Sequence, residues 1–381
     1  MAVFRESVPR DLSGKMMELN WSLVLLLLLL GGAGVGMLYS VAGGAWEPWA
    51  VQHLIKFGVG FAGMLVIAMF PPRFWMGVAY PAYVVALVLL AAVDVFGVTI
   101  NGSQRWLDLG PIRLQPSEVM KIAMVLALAR FYHDLPTDRV SGLGGLIVPA
   151  MLIALPALLI AKQPDLGTTL LLVATGGAVV FLAGLSWKIM LPAGIAAAIG
   201  GPLFFQMGLQ DYQRQRILTM FNPDADPLGA GYHILQSKIA LGSGGFTGKG
   251  YMEGTQSQLD FLPEKQTDFI FTILGEEFGF VGGIAVLAIY GLVLANTVAI
   301  ATSCKSTFLR MVVMGVATTF ALYVFINVGM VMGVLPVVGV PLPLISYGGT
   351  VMMAVLAGFG LILGAHIHRN AEPPRGAGLF G

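Results

Sequence analysis

The sequence predicts an all-α polytopic membrane protein of about ten transmembrane helices, and three observations predict it. Of 381 residues, 57% are apolar and only 11% are charged, against about 25% charged in soluble domains. A chain this poor in charge cannot clothe a water-facing surface, so lipid is its main solvent. The apolar residues fall into runs of membrane-span length, about 20 residues each. Lys and Arg are also segregated between alternate connecting segments.

The runs follow in order. The first is 21–43, behind a short charged head holding Arg5, Arg10 and Lys15. A signal peptide has a similar start, but the many later runs favour a retained signal-anchor helix. The next are 50–70, 75–97, 116–133, 143–161, 166–185 and 188–209, then 269–301, 308–333 and 346–367. The 50 glycines suit helices that approach closely where burial from water drives little packing. No linker marks a second domain, so residues 1–381 read as one membrane domain, with its bundle over 20–368.

With the N-terminus inside, the inner segments hold Arg5, Arg10, Lys15, Arg73, Arg130, Arg139, Lys188, Lys305, Arg310, Arg369 and Arg375. The short outer loops hold only Arg105, Arg113 and Lys162. This bias places both termini in the cytoplasm and makes 210–268 a large extracytoplasmic loop between spans seven and eight. Loops 98–117, 162–165 and 334–345 are also outside, so polar work belongs to the outer face. Cys304, inside, suits a free thiol.

Composition excludes several classes. A net charge of +1 gives no reason to expect nucleic acid. One cysteine excludes an internal disulfide and a Cys-based zinc site. His366 and His368 beside Arg369 read as an interfacial anchor.

The outer segments carry the candidate chemistry. Pro116 fits the first turn of a helix, which puts Glu118 near its positive end and Lys121 on the same face. Ionisable groups within a span suggest a functional site, although the pair also reads as a self-neutralised structural one. Arg105 beside Trp106 could hold an anionic headgroup, while Trp106 alone is an ordinary interfacial aromatic. Asp165, after Gln163-Pro164, is a helix N-cap or a partner for Lys121 across the bundle. Glu264 and Asp268 belong to the acidic end of the long loop, and Asp268 abuts the next apolar run. A low-dielectric boundary raises a carboxylate's pKa and makes it a better base; the alternative is a helix cap. Glu276 and Glu277 lie inside that run and need partners. Pro336, Pro341 and Pro343 precede Ser346-Tyr347-Gly348-Gly349, which implies irregular backbone that is tolerated only when buried in protein or lining a wet cavity. Ser346 also reads as a plain helix start.

Four blocks together give the chain a resemblance to the SEDS proteins (shape, elongation, division and sporulation) over about residues 20–368. They are Gly102, Arg105-Trp106-Leu107 through Gln115-Pro116-Ser117-Glu118 and Lys121; Gln163 to Thr168; Phe261 to Glu264 with Thr267 to Phe271 and Glu276-Glu277; and Pro341 to Gly349. The lead-in Gln256-Ser257-Gln258-Leu259 matches the elongation branch better than the division branch. One departure is Gln266, where the family often has His, so a His base is excluded there.

The resemblance implies a ten-span fold in the bacterial cytoplasmic (inner) membrane and a glycosyltransferase that polymerises Lipid II, a disaccharide-peptide on a polyprenyl diphosphate. It implies Asp268 as the essential acid. It also implies a class B penicillin-binding protein as transpeptidase partner, other elongation-complex membrane proteins, and a divalent cation (magnesium or manganese) as an aid. In such a reaction one base and several cations suffice. Asp268 is the base; Lys121, Arg105 and Lys249 or Lys265 are candidate diphosphate clamps; Glu118 and Asp165 would orient Lys121. Two other classes stay open, a flippase for lipid-linked sugar and a non-catalytic scaffold of the wall-synthesis complex. Against a flippase, the motif carboxylates gather on one face; against a scaffold, the Asp268 neighbourhood is dense in polar groups.

Overall fold

The computed structural model describes residues 11–100, 103–108, 110, 113–136, 139–189, 191, 192, 195, 199, 200, 211–222, 229–259, 261, 262 and 264–373. The protein is a helical bundle. A short helix α1 (Leu12–Met17) leads into α2 (Trp21–Val41), α3 (Ala50–Met69) and α4 (Pro72–Phe96). Asn20 caps α2 by accepting from the Leu23 amide at 3.0 Å. Pro at the start of α4 and of α5 (Pro116–Asp134) costs nothing, because its missing N–H has no helical partner there. Helices α6 (Leu143–Lys162) and α7 (Leu166–Leu182) follow. Then come α8 (Asp211–Phe221), α9 (Ala230–Ser243), α10 (Thr255–Gln258), α11 (Ile270–Ser303), α12 (Thr307–Val331) and α13 (Gly349–Ile367).

Among the described residues, seven helices are long and apolar enough to cross a membrane: α2, α3, α4, α6, α11, α12 and α13. Helix α7 is apolar but has 17 residues. Helix α5 carries Glu118, Lys121, Arg130 and Asp134, so its polarity keeps it out of that set, yet most of its residues are buried. It packs among α4, α7 and α12, which removes its charges from lipid, as their cost in hydrocarbon demands. The expected span 188–209 falls largely outside the described residues.

Three features depart from the sequence expectation. First, the bundle is not purely helical. Strands β1 (Val98–Ile100), β2 (Ser103–Asp108) and β3 (Arg113–Leu114) form an antiparallel sheet in the order β1-β2-β3. Val98 pairs with Trp106, and Leu107 with Leu114. The β-branched run Val98-Thr99-Ile100 before Asn101-Gly102 was the signal for it.

Second, the described part of 210–268 carries three helices, α8, α9 and α10. Helix α9 lies against α11 and α12: the Ser237 hydroxyl meets Thr272 at 2.8 Å and donates to the Val331 carbonyl at 2.8 Å.

Third, α11 has 34 residues, about 51 Å at 1.5 Å per residue, longer than a hydrocarbon core of about 30 Å. It is broken at Gly279, whose φ is 65° and ψ −162°. The freed backbone groups pair with the loop after α9. Lys249 and Gly250 amides donate to the Glu276 and Glu277 carbonyls at 3.0 Å, and the Phe280 amide donates to Gly245 at 3.0 Å. Gly248 makes that approach possible, because a Cβ there would lie 2.1 Å from the Glu277 carbonyl oxygen.

Candidate active site

The turn 264–269 and the proline-rich loop 334–348 face each other at one end of the bundle. They are tied by backbone bonds. The Tyr347 amide donates to the Gln266 carbonyl at 2.8 Å. The Ser346 hydroxyl donates to the Thr267 carbonyl at 2.5 Å and accepts from the Leu342 amide at 2.8 Å. Asn327, on α12, donates to the Asp268 carbonyl at 2.8 Å and to the Val340 carbonyl at 2.7 Å. Ser346 is thus a brace for the turn that carries Asp268, not the start of a helix; α13 begins at Gly349.

Two non-glycine residues here have positive φ, Glu264 at 53° and Leu344 at 65°. Such a conformation costs about 1–3 kcal/mol and persists only where the surroundings over-determine it. At Glu264 the surroundings are visible: its carbonyl accepts from the Thr267 amide at 3.1 Å, and its carboxylate from the Thr267 hydroxyl at 3.1 Å.

Asp268 is half-buried, one residue before the Phe269 cap of α11. Among the described residues no hydrogen bond reaches its carboxylate. Its Oδ2 faces Gly339, where a Cβ would stand 3.4 Å away. Burial raises its carboxyl to about 7; the nearby charge of Glu264 adds to the rise and that of Arg216 opposes it. A carboxylate at about 7 is matched to proton abstraction at neutral pH.

The second cluster joins α5 and α12. Glu118 and Lys121 form a buried ion pair at 2.7 Å. Tyr323 of α12 closes it into a triad, donating to Glu118 at 2.6 Å and accepting from Lys121. Apolar residues of α5, α12 and α13, among them Val125, Phe320, Val355 and Phe359, line a cavity that ends at this triad.

Of the two readings of Asp165, the helix cap is the one seen, and among the described residues no bond joins it to Lys121. It caps α7 through the Thr168 amide at 3.0 Å and pairs with Arg105 at 3.5 Å. Arg105 also donates to the Gln163 carbonyl at 3.3 Å and the Pro164 carbonyl at 2.5 Å. Its guanidinium is therefore engaged in locking the sheet to the 163–165 junction. Trp106 sits beside it on β2, half-buried.

Lys249, another expected clamp, is also engaged. It pairs at 2.7 Å with Glu276, which is fully buried, and Glu276 accepts as well from Thr255 at 3.0 Å and the Gln256 amide at 3.1 Å. The partners sought for the two glutamates are thus the 249–256 loop for Glu276 and the Ser40 hydroxyl of α2 for Glu277. Burial makes an unpaired charge costly, and Asp165, Glu276 and Glu277 each hold a cation or a donor.

Sequence reading missed Tyr323 and Asn327. They stand four apart on one face of α12, and a polar pair in an otherwise apolar run was the signal. Among the described residues, no three His, Cys, Asp or Glu side chains gather around one point as a metal site. Asp268 and Glu264 are the carboxylates of the turn 264–269.

The family model described as cell cycle protein, covering FtsW, RodA and SpoVE, matches residues 20–371. Peptidoglycan glycosyltransferase MrdB of Escherichia coli K12 is 48% identical over 316 residues, 83% of this chain and 85% of that protein. Stage V sporulation protein E of Bacillus subtilis is 37% identical over 356 residues, 90% of this chain and 95% of that protein. Among solved structures, a chain from a study of coordinated polymerization and crosslinking by a peptidoglycan synthase complex aligns with a TM-score of 0.81 at 34% identity, covering 92% of this chain and 98% of that one. The Thermus thermophilus rod shape determining protein RodA aligns at 0.69 and 30% identity, covering 93% and 98%. With this match over residues 20–371, nearly its whole length, the chain belongs to the FtsW, RodA and SpoVE family of cell cycle proteins.

Proposed function

We propose that the chain is a peptidoglycan glycosyltransferase that polymerises Lipid II into glycan strands at the outer face of the bacterial inner membrane during elongation. The observation that carries this reading is Asp268, a half-buried carboxylate raised to about 7 and held through its backbone, with no hydrogen bond to its carboxylate among the described residues. Asp268 takes the proton from the acceptor sugar hydroxyl. The oxygen then bonds the anomeric carbon of the donor, whose bond to the polyprenyl diphosphate breaks, and the diphosphate leaves with the electron pair. Lys121 is the candidate clamp for that leaving charge. Lys265, also half-buried beside Asp268 in the same turn, is the second.

The topology proposed with this reading has about ten spans and both termini in the cytoplasm. The region 210–268 and the site lie outside, all within one membrane domain. A divalent cation, magnesium or manganese, is proposed as an aid; diphosphate oxygens and water would complete most of its shell. Glu264 would hold it, leaving the Asp268 carboxylate to take the proton, and it would neutralise leaving-group charge. A class B penicillin-binding protein is the proposed transpeptidase partner, together with other membrane proteins of the elongation complex.

The test is purified protein with labelled Lipid II. Glycan chains are the expected product. Leaflet exchange without polymer would make the protein a flippase, and neither activity, with the partner present, would make it a scaffold.

A further inference from the structure

Lys56 is a cation inside α3, about 9 Å from the start of that helix at 1.5 Å per residue. A lysine at such depth is costly and normally pairs with an acid. Lys56 does not: no carboxylate lies within ion-pair distance of it among the described residues. Its ammonium donates to the Tyr347 hydroxyl at 3.0 Å and sits 4.4 Å from the centre of that ring. Tyr347 in turn donates to the exposed Gln52 at 2.5 Å. One of three ammonium donors is used, so two remain. Gly349, the first residue of α13, lies against the Lys56 stem, where a Cβ would stand 3.7 Å from Nζ. The nearby helix end adds positive potential and relieves nothing. The cluster is also accessible, with Lys56 and Tyr347 half-buried and Gln52 exposed.

From this geometry we infer that Lys56, Tyr347 and Gln52 form a binding point for the phosphate of a lipid seated between α3 and the start of α13. Phosphate supplies the negative charge and acceptor oxygens that the cluster lacks. Snorkelling of the long side chain lets the ammonium meet a headgroup from this depth. The point is joined to the acid's turn, because the Tyr347 amide holds the Gln266 carbonyl at 2.8 Å, two residues before Asp268. Two lipids carry the required chemistry, a polyprenyl diphosphate and an anionic phospholipid. That the first arrives there as substrate or product rests on the proposed reaction; the phosphate site itself does not.

The experiment is native mass spectrometry of the purified full chain in detergent, titrated separately with undecaprenyl diphosphate and with phosphatidylglycerol. Wild type is compared with Lys56→Met, which keeps the stem, and Lys56→Arg, which keeps the charge. The expected result is a loss on the order of tenfold in affinity for at least one lipid in Lys56→Met, recovered in Lys56→Arg. Which lipid loses affinity identifies the source. Equal binding of both lipids by wild type and Lys56→Met overturns the inference. A gel-filtration profile checks that both variants are folded, and Gln52→Ala, which leaves the span intact, gives an independent weakening. Polymerisation of Lipid II by wild type is run in parallel. Its failure would count against the proposed enzyme and leave the binding result standing, whereas unchanged binding beside active polymerisation removes only the phosphate site.

Discussion

Asn327 grips Asp268 by its backbone, donating 2.8 Å from its side-chain amide to the Asp268 carbonyl while the carboxylate stays unbonded among the described residues. The same amide spans to Val340 at 2.7 Å. One side chain thus fixes the distance between the acid's turn and the proline-rich loop. Asn327→Ala strips donors from two carbonyls, one of them buried, at a cost of about 1–3 kcal/mol. The expected outcome is a lowered melting temperature and a kcat reduced more than KM is raised. Steady-state polymerisation kinetics check it, and an unchanged kcat would show that the turn holds its position without Asn327.

Asp268→Asn keeps the shape and can still cap a helix, but it cannot take a proton. Loss of a general base costs about 10²–10⁴ in rate. The variant is expected to fold and reach the membrane while making no detectable glycan. Near-normal polymer from the purified variant would reduce Asp268 to a cap and pass the role to Glu264 or to Asp260, which lies outside the described residues.

The pH profile follows from the same carboxyl, raised to about 7. A base must be ionised to act, so kcat/KM is expected to rise with pH through about 7 and then level off. Glu264→Gln removes a neighbouring negative charge, eases ionisation and moves the rise to lower pH. Arg216→Gln removes a positive charge and moves it to higher pH. Profiles of the three proteins that coincide would contradict the assignment.

Glu118, Lys121 and Tyr323 form one buried unit. Glu118→Gln leaves a buried lysine without its carboxylate, and breaking such a pair costs about 3–5 kcal/mol. Lower yield and a lower melting temperature are expected, with activity falling as well. Tyr323→Phe keeps the ion pair and is expected to cost less. If Lys121→Ala retains full polymerisation, the triad is a structural tie and Lys121 is no clamp.

Topology is tested by thiol labelling on intact cells. Cys304 is buried, so it cannot report which side it faces. A Cys304→Ser background with Gln258→Cys or Thr307→Cys uses two exposed positions instead. A membrane-impermeant reagent is expected to label the first and spare the second. The reverse pattern would place the Asp268 site in the cytoplasm.

The sequence by itself determined the helical membrane fold, the helix starts at Pro116 and Leu166, the buried Glu118–Lys121 pair and the prominence of Asp268. Each of these is local: it follows from hydropathy over a run, from a cap or proline, or from spacing along one helix. What only the tertiary structure decided is which charges pair with which. The fold pairs Arg105 with Asp165 and Lys249 with Glu276, as it pairs Lys121 with Glu118. Tyr323, from 202 residues away, completed the pair at Lys121, and Lys56 has no acid within ion-pair distance among the described residues. Pairing of buried charge depends on distance and burial between segments far apart in the chain. Low dielectric makes an unpaired ion so costly that folding settles the partners, and no spacing along the sequence records that outcome.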